Sequence, residues 1–352
     1  MSASSHEIPS VSGTLESFMT LEQFIIDHQE ESQHSTGAFS RLIRDISVAA
    51  KIINRNIRRA GLLDVFGASG EINVQGEVQK KLDVIADEEI VRALRKGGEC
   101  RLIGSEEQSE TMSIGDDQAS VGRYAVYFDP LDGSSNTDVN ASVGSIFSIY
   151  HLGARNERSS TLEEVLQPGS KQVAAGYVAY GSSTMFVYTT GDGVNGFTLD
   201  PEIGEFVLSH PDIRIPDQAK MYSINEADFD DFSAGVRRYL RWLKRPDEHG
   251  YRPIRHRYIG AFVSDFHRNL ITGGIYMYPK TATSPEGKLR LMYEANPLAF
   301  IVEQAGGAAS DGKRRILDIV PDDLHQRTPV FIGNTDLVQE LERQLEASVE
   351  AA

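Results

Sequence analysis

The spacing of apolar residues changes along the chain from the period of an α-helix to that of a β-strand. In the first part, apolar side chains recur every three or four residues, the spacing that places them on one face of a helix. This spacing predicts helices over residues 15–25, 36–57 and 78–94. Gly61 is expected to end the second helix and Gly97-Gly98 the third, because glycine readily adopts the left-handed conformation found at helix ends.

Short runs rich in β-branched and aromatic residues follow and predict strands. They cover residues 101–104, 124–128, 145–150, 173–180, 185–190 and 206–209. After a predicted domain boundary at 213–217, which carries Pro216, strands (221–224, 275–278, 289–293) alternate with helices (232–243, 259–271, 336–348). A further helix is expected to have Asn296 as its cap, Pro297 in its first turn and Gly306-Gly307 at its end. The fold class is therefore α/β, of the layered α+β kind, with two packed domains at residues 1–213 and 214–352.

Composition and charge exclude some classes of function. The chain of 352 residues carries 51 acidic and 35 basic side chains, a formal net charge of -16. That balance argues against nucleic-acid binding, which needs positive potential. A single cysteine, Cys100, excludes an intrachain disulfide. With no basic or Arg-rich leader and no apolar run near the roughly 18 residues that span a bilayer, a cytoplasmic protein without a membrane partner is expected.

The run from Phe128 to Asn136, with the sequence FDPLDGSSN, is the most informative segment. An apolar strand ends at Asp129, Pro130 fixes the backbone, and a second carboxylate, Asp132, precedes a Gly-Ser-Ser turn. Paired carboxylates suit a hard divalent cation, and small residues leave amides and hydroxyls free to approach a phosphate. An ordinary Asx turn is the alternative for a bare D-x-x-D. An EF-hand fails because Asn140 occupies its twelfth position, where a Glu is needed.

Two further acidic positions follow predicted strands. Glu106-Glu107 comes after the apolar pair at 102–103, and Glu294 follows the strand at 289–293. Ligand crevices form at strand ends in layered α/β sheets. All of these carboxylates are therefore expected where one site can assemble.

At this point the sequence resembles the class I fructose-1,6-bisphosphatases, within the wider superfamily of lithium-sensitive, magnesium-dependent sugar and inositol phosphatases. The DPLDGSSN run is similar to the superfamily's metal motif. The narrower family is indicated by KKLDV at 80–84, YSINE at 222–226, RYIG at 257–260, GKLRL at 287–291, YEANP at 293–297, LDIVP at 317–321 and HQR at 325–327. These motifs cover nearly the whole chain in order, and they imply alternating helix and sheet layers of the sugar-phosphatase type.

The resemblance implies a phosphoric monoester hydrolase that removes the 1-phosphate of fructose 1,6-bisphosphate, in gluconeogenesis or the Calvin cycle. It implies two or three Mg²⁺ ions per subunit, replaceable by Mn²⁺, and a homotetramer. The implied metal shell is Glu106, Glu107, Asp129, the carbonyl of Leu131, Asp132 and Glu294; the implied catalytic residues are Asp83, Glu107 and Glu77. The implied substrate contacts are Gly133, Ser134 and Ser135 for the 1-phosphate, Asn225, Tyr258, Tyr278 and Lys288 for the 6-phosphate and sugar, and Arg257 from a neighbouring subunit.

The chain also departs from the family pattern. Asp228 replaces a Tyr that is usual in the family's 6-phosphate site. Its carboxylate would repel a phosphate, so either the side chain points away from the site or one contact with the 6-phosphate is missing. Phe262 replaces a Met that packs against the sugar in the family. The family's AMP site is compatible with Thr36, Gly37, Arg123 and Tyr124. However, Ala38, Ser40 and His151 replace an acidic residue, a Thr and an Arg, so AMP inhibition is expected to be weakened or absent.

Rival functions stay open at this stage. The enzyme could act on sedoheptulose 1,7-bisphosphate or an inositol phosphate, or the chain could be a catalytically silent sugar-phosphate-binding regulator. The residues 191–196 fit the glycine pattern of dinucleotide sites but have no helix after them, and they predict a hairpin turn.

Overall fold

The computed structural model describes residues 18–28, 37–63, 67–72, 78–114, 122–152, 165–246 and 253–349. Thr36, assigned to the AMP region, and Glu77, assigned to catalysis, lie outside these ranges, as does the start of the first predicted helix.

The N-terminal helices are α1 (Leu21–Asp27), α2 (Gly37–Arg58), α3 (Ala60–Leu63) and α4 (Lys81–Gly97). The first prediction extended too far toward the N-terminus, because Thr20 accepts a hydrogen bond from the Gln23 amide and α1 therefore starts at Leu21. Gly61 does not end α2, which stops at Arg58; Gly61 lies inside α3. Gly98 ends α4 as predicted, with φ 78°.

A short antiparallel pair, β1 (Ala68–Ile72) and β2 (Val78–Lys80), precedes α4, so the start of the third predicted helix is a strand. The large sheet follows: β3 (Cys100–Ser105), β4 (Met112–Ser113), β5 (Tyr124–Asp132), β6 (Val143–His151), β7 (Gln172–Tyr180), β8 (Thr184–Thr189), β9 (Asn195–Asp200) and β10 (Glu205–His210). Its strand order is β10-β9-β8-β7-β6-β5-β3-β4, antiparallel except for the parallel pair β3/β5. The sequence analysis missed β4 and β9, but the predicted turn at 191–196 does join β8 to β9.

The second sheet contains β11 (Met221–Ser223), β12 (Arg255–His256), β13 (Gly274–Tyr278), β15 (Ala308–Ser310) and β17 (Val330–Gly333) in the order β12-β11-β13-β17-β15. A separate pair joins β14 (Leu289–Arg290) to β16 (Arg327–Thr328). The remaining helices are α5 (Ala234–Leu243), α6 (Phe262–Thr272), α7 (Asn296–Gln304) and α8 (Thr335–Val349).

Two local predictions around Glu294 were wrong. The strand expected at 289–293 ends at Arg290, and Leu291–Ala295 forms a π-helical turn that runs into α7. The Arg290 amide donates to the Glu294 carboxylate at 2.6 Å, a bond between residues four apart that favours a turn over a strand. Asn296 is itself helical (φ -59°, ψ -50°), so it does not cap α7.

Alternating side chains along the strands explain the layers. In β13, Ile275 and Met277 face α5 and α8, whereas Tyr276 faces α6 and α7. In the large sheet, Phe147 packs with α1, α2 and α4, while Ile146 packs with α6 and α7. Because strand side chains alternate between faces, both sheets are covered on both sides. The result is five alternating helix and sheet layers, which confirms the predicted α/β class. No helix in the described part of the chain is long and apolar enough to cross a membrane.

Candidate active site

A cleft of about 340 Å³ collects most of the predicted site residues. Its lining includes the predicted Asp83, Glu106, Glu107, Asp129, Leu131, Asp132, Gly133, Ser134, Ser135, Tyr258, Tyr278, Lys288 and Glu294. These residues come from the ends of β5 and β13, the first turn of α4, the π-helical turn and the intervening loops. The tertiary fold thus brings together carboxylates that are nearly 190 positions apart in sequence, between Glu106 and Glu294.

The parallel pairing of β3 and β5 explains why two acidic segments meet. Their carboxyl ends lie at the same sheet edge, with Ser105 beside Phe128, and the Glu106 amide donates to the Phe128 carbonyl at 3.2 Å. Asp129 follows directly, and its carboxylate accepts from the Leu131 amide at 2.9 Å. Backbone bonding therefore fixes both acidic segments side by side.

Asp129, Asp132 and Glu294 each direct a carboxylate oxygen to one point, with these atoms within 4.8 Å of one another. All three residues are buried. A converging set of carboxylate oxygens is the donor set that Mg²⁺ and similar hard cations prefer. The three residues therefore fit a divalent cation.

Burial and mutual repulsion both act on these acids. Burial, opposed by bonds from the Val263 and Phe262 amides, raises the pKa of Asp132 to about 7, and burial raises the pKa of Glu294 to about 8. The pKa of Asp129 is raised well above its usual range, first by burial and then by Glu106, Asp132 and Glu294. Closely spaced carboxylates disfavour joint ionisation, which a bound cation reverses.

Arg290 partly offsets this negative charge. Its Nη1 lies 2.9 Å from Glu106 Oε1 and 3.8 Å from Glu294 Oε2, and its side chain is only 5% exposed. Arg290 belongs to the GKLRL motif at 287–291, but no role for it was predicted from the sequence. Lys80 is a second basic residue of the cleft without a predicted role; it pairs with Asp138 at 2.7 Å.

Asp132 also holds the start of α6. Its two carboxylate oxygens accept from the amides of Phe262 (3.0 Å) and Val263 (2.6 Å). Gly133 sits against the same helix start with φ 73°, and a Cβ atom there would lie 2.4 Å from the Ala261 side chain. Only glycine therefore allows the strand end and the helix to approach this closely.

Asp83 and Glu107 flank the carboxylate cluster. Burial raises the pKa of Asp83 to about 7, opposed by bonds from the Lys80 amide (2.8 Å) and the Ser134 side chain. Glu107 accepts from Gln79 Nε2 at 2.6 Å. A carboxyl group with a pKa near 7 is suited to accept a proton at neutral pH.

The buried Asp87, which the sequence analysis did not single out, holds the turn that carries Glu106 and Glu107. It accepts from Ser105 Oγ at 2.5 Å and from Gln108 Nε2 at 2.9 Å, and Ser105 Oγ accepts in turn from the Glu107 amide at 3.2 Å. Asp87 follows Asp83 by one helical turn in α4, a spacing that the sequence shows but does not distinguish from an ordinary surface acid.

The other end of the cleft is aromatic and basic. Tyr258 and Tyr278 are half-buried there, and Lys288 is exposed at the rim. Phe262, at the position of the family's Met, stacks on Tyr276 with ring centroids 4.5 Å apart. This end offers hydroxyls, an ammonium group and an apolar surface, without a second carboxylate cluster among its lining residues.

Of the described residues assigned to substrate, Asn225 and Arg257 lie outside the cleft lining. Asn225 Nδ2 donates to Asp228 Oδ2 at 3.0 Å, and Asn225 Oδ1 accepts from the Ala227 backbone amide at 3.2 Å. Asp228 therefore engages the neighbouring Asn side chain. Arg257 is exposed, with Nη1 donating to the His256 carbonyl.

The described residues assigned to the AMP region lie on neighbouring elements, because Arg41 of α2 pairs with Glu99, whose carbonyl accepts from the amides of Arg123 and Tyr124. Gly37 lines a separate cavity of about 120 Å³ with Arg41 and Arg44, which pair with Glu99 and Glu22. Tyr124 is 1% exposed and packs edge-on against Phe39 and His151. In the described part of the chain, neither Tyr124 nor Arg123 lines that cavity.

Comparisons with known proteins agree on one family. Residues 19–211 match the family model described as fructose-1-6-bisphosphatase, N-terminal domain, and residues 215–346 match the corresponding C-terminal domain. The chain is 65% identical over 338 residues to a class 1 fructose-1,6-bisphosphatase of Salinibacter ruber, with 96% of this chain and 95% of the relative covered. It is 54% identical over 335 residues to the class 1 enzyme of Cytophaga hutchinsonii, with 95% and 96% covered.

Solved structures show the same likeness. The holo form of Leishmania major fructose-1,6-bisphosphatase superposes with a TM-score of 0.86 at 40% identity, covering 94% of this chain and 99% of that one. The T-state form of the same protein superposes with a TM-score of 0.82, at the same sequence identity and coverage.

Proposed function

The chain belongs to the class I fructose-1,6-bisphosphatase family, and on that premise we propose that it hydrolyses the 1-phosphate of fructose 1,6-bisphosphate to fructose 6-phosphate and inorganic phosphate. It is a phosphoric monoester hydrolase. The observation that carries the proposal is the cleft in which three buried carboxylates converge at one end and tyrosines with Lys288 lie at the other. Such a cleft suits a substrate with one phosphate to be cleaved and another to be held.

The family implies dependence on a divalent metal, which we propose is Mg²⁺, two or three ions per subunit, with Mn²⁺ as a substitute. Glu106, Glu107, Asp129, Asp132 and Glu294 would hold them, together with the Leu131 carbonyl. The cations would supply charge neutralisation at the phosphate oxygens and a lowered pKa for a bound water. The mutual repulsion of the buried carboxylates supports this, because it leaves the cluster in need of positive charge.

The remaining residues of this end orient the phosphate and accept a proton. We assign Asp83 and Glu107 to positioning and deprotonating the attacking water, with Glu77 assisting. Gly133, Ser134 and Ser135 are proposed to hold the 1-phosphate through amides and hydroxyls at the start of a 3-10 turn. Phosphoryl transfer needs positioning and charge stabilisation more than covalent help from the protein.

The 6-phosphate and sugar are assigned to Tyr258, Tyr278, Lys288 and Asn225, with Arg257 acting on a neighbouring subunit. Lys288 and Arg257 are exposed, which suits contact with an anion or another chain. This arrangement requires an oligomer, which we propose to be a homotetramer. We further propose the domain division at residue 213/214, a cytoplasmic location and a role in gluconeogenesis or the Calvin cycle.

Phosphate release tests the function. Purified protein is assayed side by side with fructose 1,6-bisphosphate, sedoheptulose 1,7-bisphosphate and inositol 1-phosphate, with Mg²⁺ and with chelator. We expect Mg²⁺-dependent release with fructose 1,6-bisphosphate as the best substrate. A clear preference for either of the other two would reassign the substrate, and sugar-phosphate binding without turnover would support a regulator.

Asp129→Asn tests the assigned metal residue. Loss of one of the converging carboxylates is expected to lower kcat by about 10³-fold or more, because the transition-state charge is then poorly balanced. Asp311→Asn is the control, since Asp311, like Asp129, accepts a hydrogen bond from a backbone amide near it in sequence but lies outside the cleft. Substantial Mg²⁺-dependent turnover by folded Asp129→Asn would remove Asp129 from the metal shell.

A further inference from the structure

The segment at residues 257–260 carries two groups assigned to substrate, Arg257 and Tyr258, and it has almost no regular structure of its own. Only Arg257 is tied to a strand, through its amide, which donates to the Tyr222 carbonyl at 2.9 Å. Tyr258 lies in the middle of the segment and points into the cleft. Something outside the segment must therefore fix the position of Tyr258.

Asp265, in the first turn of α6, supplies that support. Its side chain is completely buried, and its two oxygens accept from the Ile259 amide (3.1 and 3.0 Å) and the Gly260 amide (3.0 Å). Gly260 has φ 88°, so the chain turns sharply at the point where Asp265 binds it. The carboxylate thus fixes the C-terminal half of the segment.

Arg268 fixes the N-terminal half. Its Nη2 pairs with Asp265 and also donates to the Arg257 carbonyl at 3.0 Å and to Ser223 Oγ at 3.1 Å. One ion pair, between residues three apart on α6, therefore binds the segment on both sides of Tyr258. Charge-assisted hydrogen bonds of this kind are stronger and more directional than neutral ones.

The same helix start is bound by Asp132, whose carboxylate accepts from the amides of Phe262 and Val263. Asp132 thus contacts one side of the start of α6, and Asp265 connects the following turn to the segment at 257–260. The two ends of the cleft are attached to a single rigid element, but through different carboxylates. Changes to Asp265 or Arg268 should therefore affect the end of the cleft that carries Tyr258 more than the end that carries the carboxylate cluster.

We propose that Asp265 and Arg268 are positioning residues that hold Tyr258 and Arg257 in place for the phosphate that is not cleaved, and so favour the bisphosphate over a monophosphate. This rests on the proposed function. Neither side chain lines the cleft; both act through the backbone of residues 257–260. Displacement of that backbone should weaken binding at the distal phosphate while leaving the carboxylate cluster able to work.

The experiment compares Asp265→Asn and Arg268→Met with the wild type and with Asp311→Asn. Asp311 is a matched control because it also accepts from two backbone amides and pairs with an arginine three residues on, Arg314, away from the cleft. Four quantities are measured: kcat/KM for fructose 1,6-bisphosphate and for fructose 1-phosphate, and the inhibition constants of fructose 6-phosphate and of inorganic phosphate. Half-saturation by Mg²⁺ is recorded for each variant.

For both variants we expect kcat/KM for the bisphosphate to fall about tenfold or more, since small misplacements of binding groups are costly. The inhibition constant of fructose 6-phosphate, which carries only the distal phosphate, should rise in parallel. Fructose 1-phosphate turnover, inhibition by inorganic phosphate and Mg²⁺ half-saturation should match the control. Having Arg268→Met as well as Asp265→Asn keeps the test decisive if either one fails to fold.

Equal losses with fructose 1-phosphate and the bisphosphate would overturn the proposal, because the two residues would then act on the metal end or on the fold. An unchanged inhibition constant for fructose 6-phosphate would also overturn it. A wild type that prefers another substrate would instead contradict the proposed function, and the two failures are separated because the wild type is measured first.

Discussion

At the scale of single residues, the molecule places acidic side chains where they are least stable as ions. Asp129, Asp132 and Glu294 are each under 8% exposed, and Arg290 is the basic side chain that pairs within the cluster. Burying like charges together costs free energy unless a cation or a proton is bound. The cluster therefore couples metal binding, protonation and stability.

This coupling predicts an unusual pH dependence. Asp83, Asp132 and Glu294 have ordinary pKa values of 3.8 to 4.5 and folded values of about 7 to 8, so the folded chain keeps protons that the unfolded chain has released. Stability of the metal-free protein should fall as pH rises from about 4 to about 8. Mg²⁺ competes with these protons and should therefore stabilise the protein more at pH 8 than at pH 6.

Thermal unfolding measures this effect. The melting temperature is recorded with chelator and with saturating Mg²⁺, in steps of about half a pH unit from about pH 5.5 to about pH 8.5. The increase in melting temperature on adding Mg²⁺ is expected to grow by several degrees across that range. An increase that is independent of pH, or largest at the acid end, would contradict the assignment of Asp132 and Glu294 to the metal site.

A second residue-scale prediction concerns AMP. Arg41 and Arg44 already pair with Glu99 and Glu22. By the family resemblance, His151 replaces an arginine, a residue whose guanidinium binds anions more strongly. We expect AMP to inhibit weakly and without cooperativity, and His151→Arg to strengthen inhibition. Activity measured against AMP concentration for both proteins is the test, and tight, cooperative inhibition of the wild type would contradict it.

At the scale of elements, α4 and α6 position the site through polar groups on their first two turns. In α4, Asp83 lies in the cleft and Asp87 holds the turn at 105–108. In α6, the backbone amides at the start bind Asp132. The turn at 105–108 and the end of β5, both proposed to bind metal, are thus each supported by a neighbouring helix, as residues that orient metal ligands usually are.

Removal of that support should weaken metal binding. We predict that Asp87→Ala raises the Mg²⁺ concentration for half-maximal activity by about 10-fold to 100-fold, the range found when residues that orient metal ligands are lost. KM for the sugar bisphosphate at saturating Mg²⁺ should change much less. Mg²⁺ titrations of activity provide the measurement.

Glu89→Ala is a suitable control, because Glu89 lies on the same helix and pairs only with the exposed Arg92 among the contacts described. Unchanged Mg²⁺ half-saturation in a folded Asp87→Ala variant would show that the turn at 105–108 holds its position without Asp87.

At the scale of the whole molecule, the five layers bring the two domains' residues into one cleft. Asp129 and Asp132 come from the large sheet, Glu294 from the turn before α7, and Tyr258 from the loop before α6. An active site built between layers is complete only when both domains are packed. Arg257 is exposed and does not line the cleft of its own chain, which supports its proposed action on a neighbouring subunit.

We therefore predict complementation between an inactive and a weakened subunit. Asp129→Asn lacks a carboxylate proposed to bind metal and Arg257→Ala lacks the side chain proposed to act on a neighbour, so mixed oligomers should contain some sites with both residues intact. Activity regained after the two variants are dissociated and reassociated together is the expected result. Light scattering should show four times the chain mass of 38.9 kDa. A monomeric enzyme, or the absence of any regained activity, would place the function of Arg257 within its own subunit.

Several features were readable from the sequence because they depend on local chemistry. The periods of apolar residues predicted α2, α4 and six strands of the large sheet, and FDPLDGSSN predicted paired carboxylates beside a small-residue turn. Predictions failed where the spacing of apolar residues does not report the local structure. The turn at Leu291–Ala295 is stabilised by the bond from the Arg290 amide to Glu294, and β9 has glycine at its second position, which hides its alternation.

The sequence by itself determined the family, the layered α/β class and which acidic residues are candidates for the site, since these follow from residue type, spacing and motif order. The sequence also led us to expect Glu294 in one site with Asp129 and Asp132, and the structure shows their carboxylate oxygens within 4.8 Å of one another. Only the tertiary structure decided that Arg290 pairs with Glu106 and that Asp265 and Arg268 hold the loop of Tyr258. The physical reason is that contacts between residues distant in sequence depend on how the layers pack, and this packing is not encoded in any short stretch of the chain.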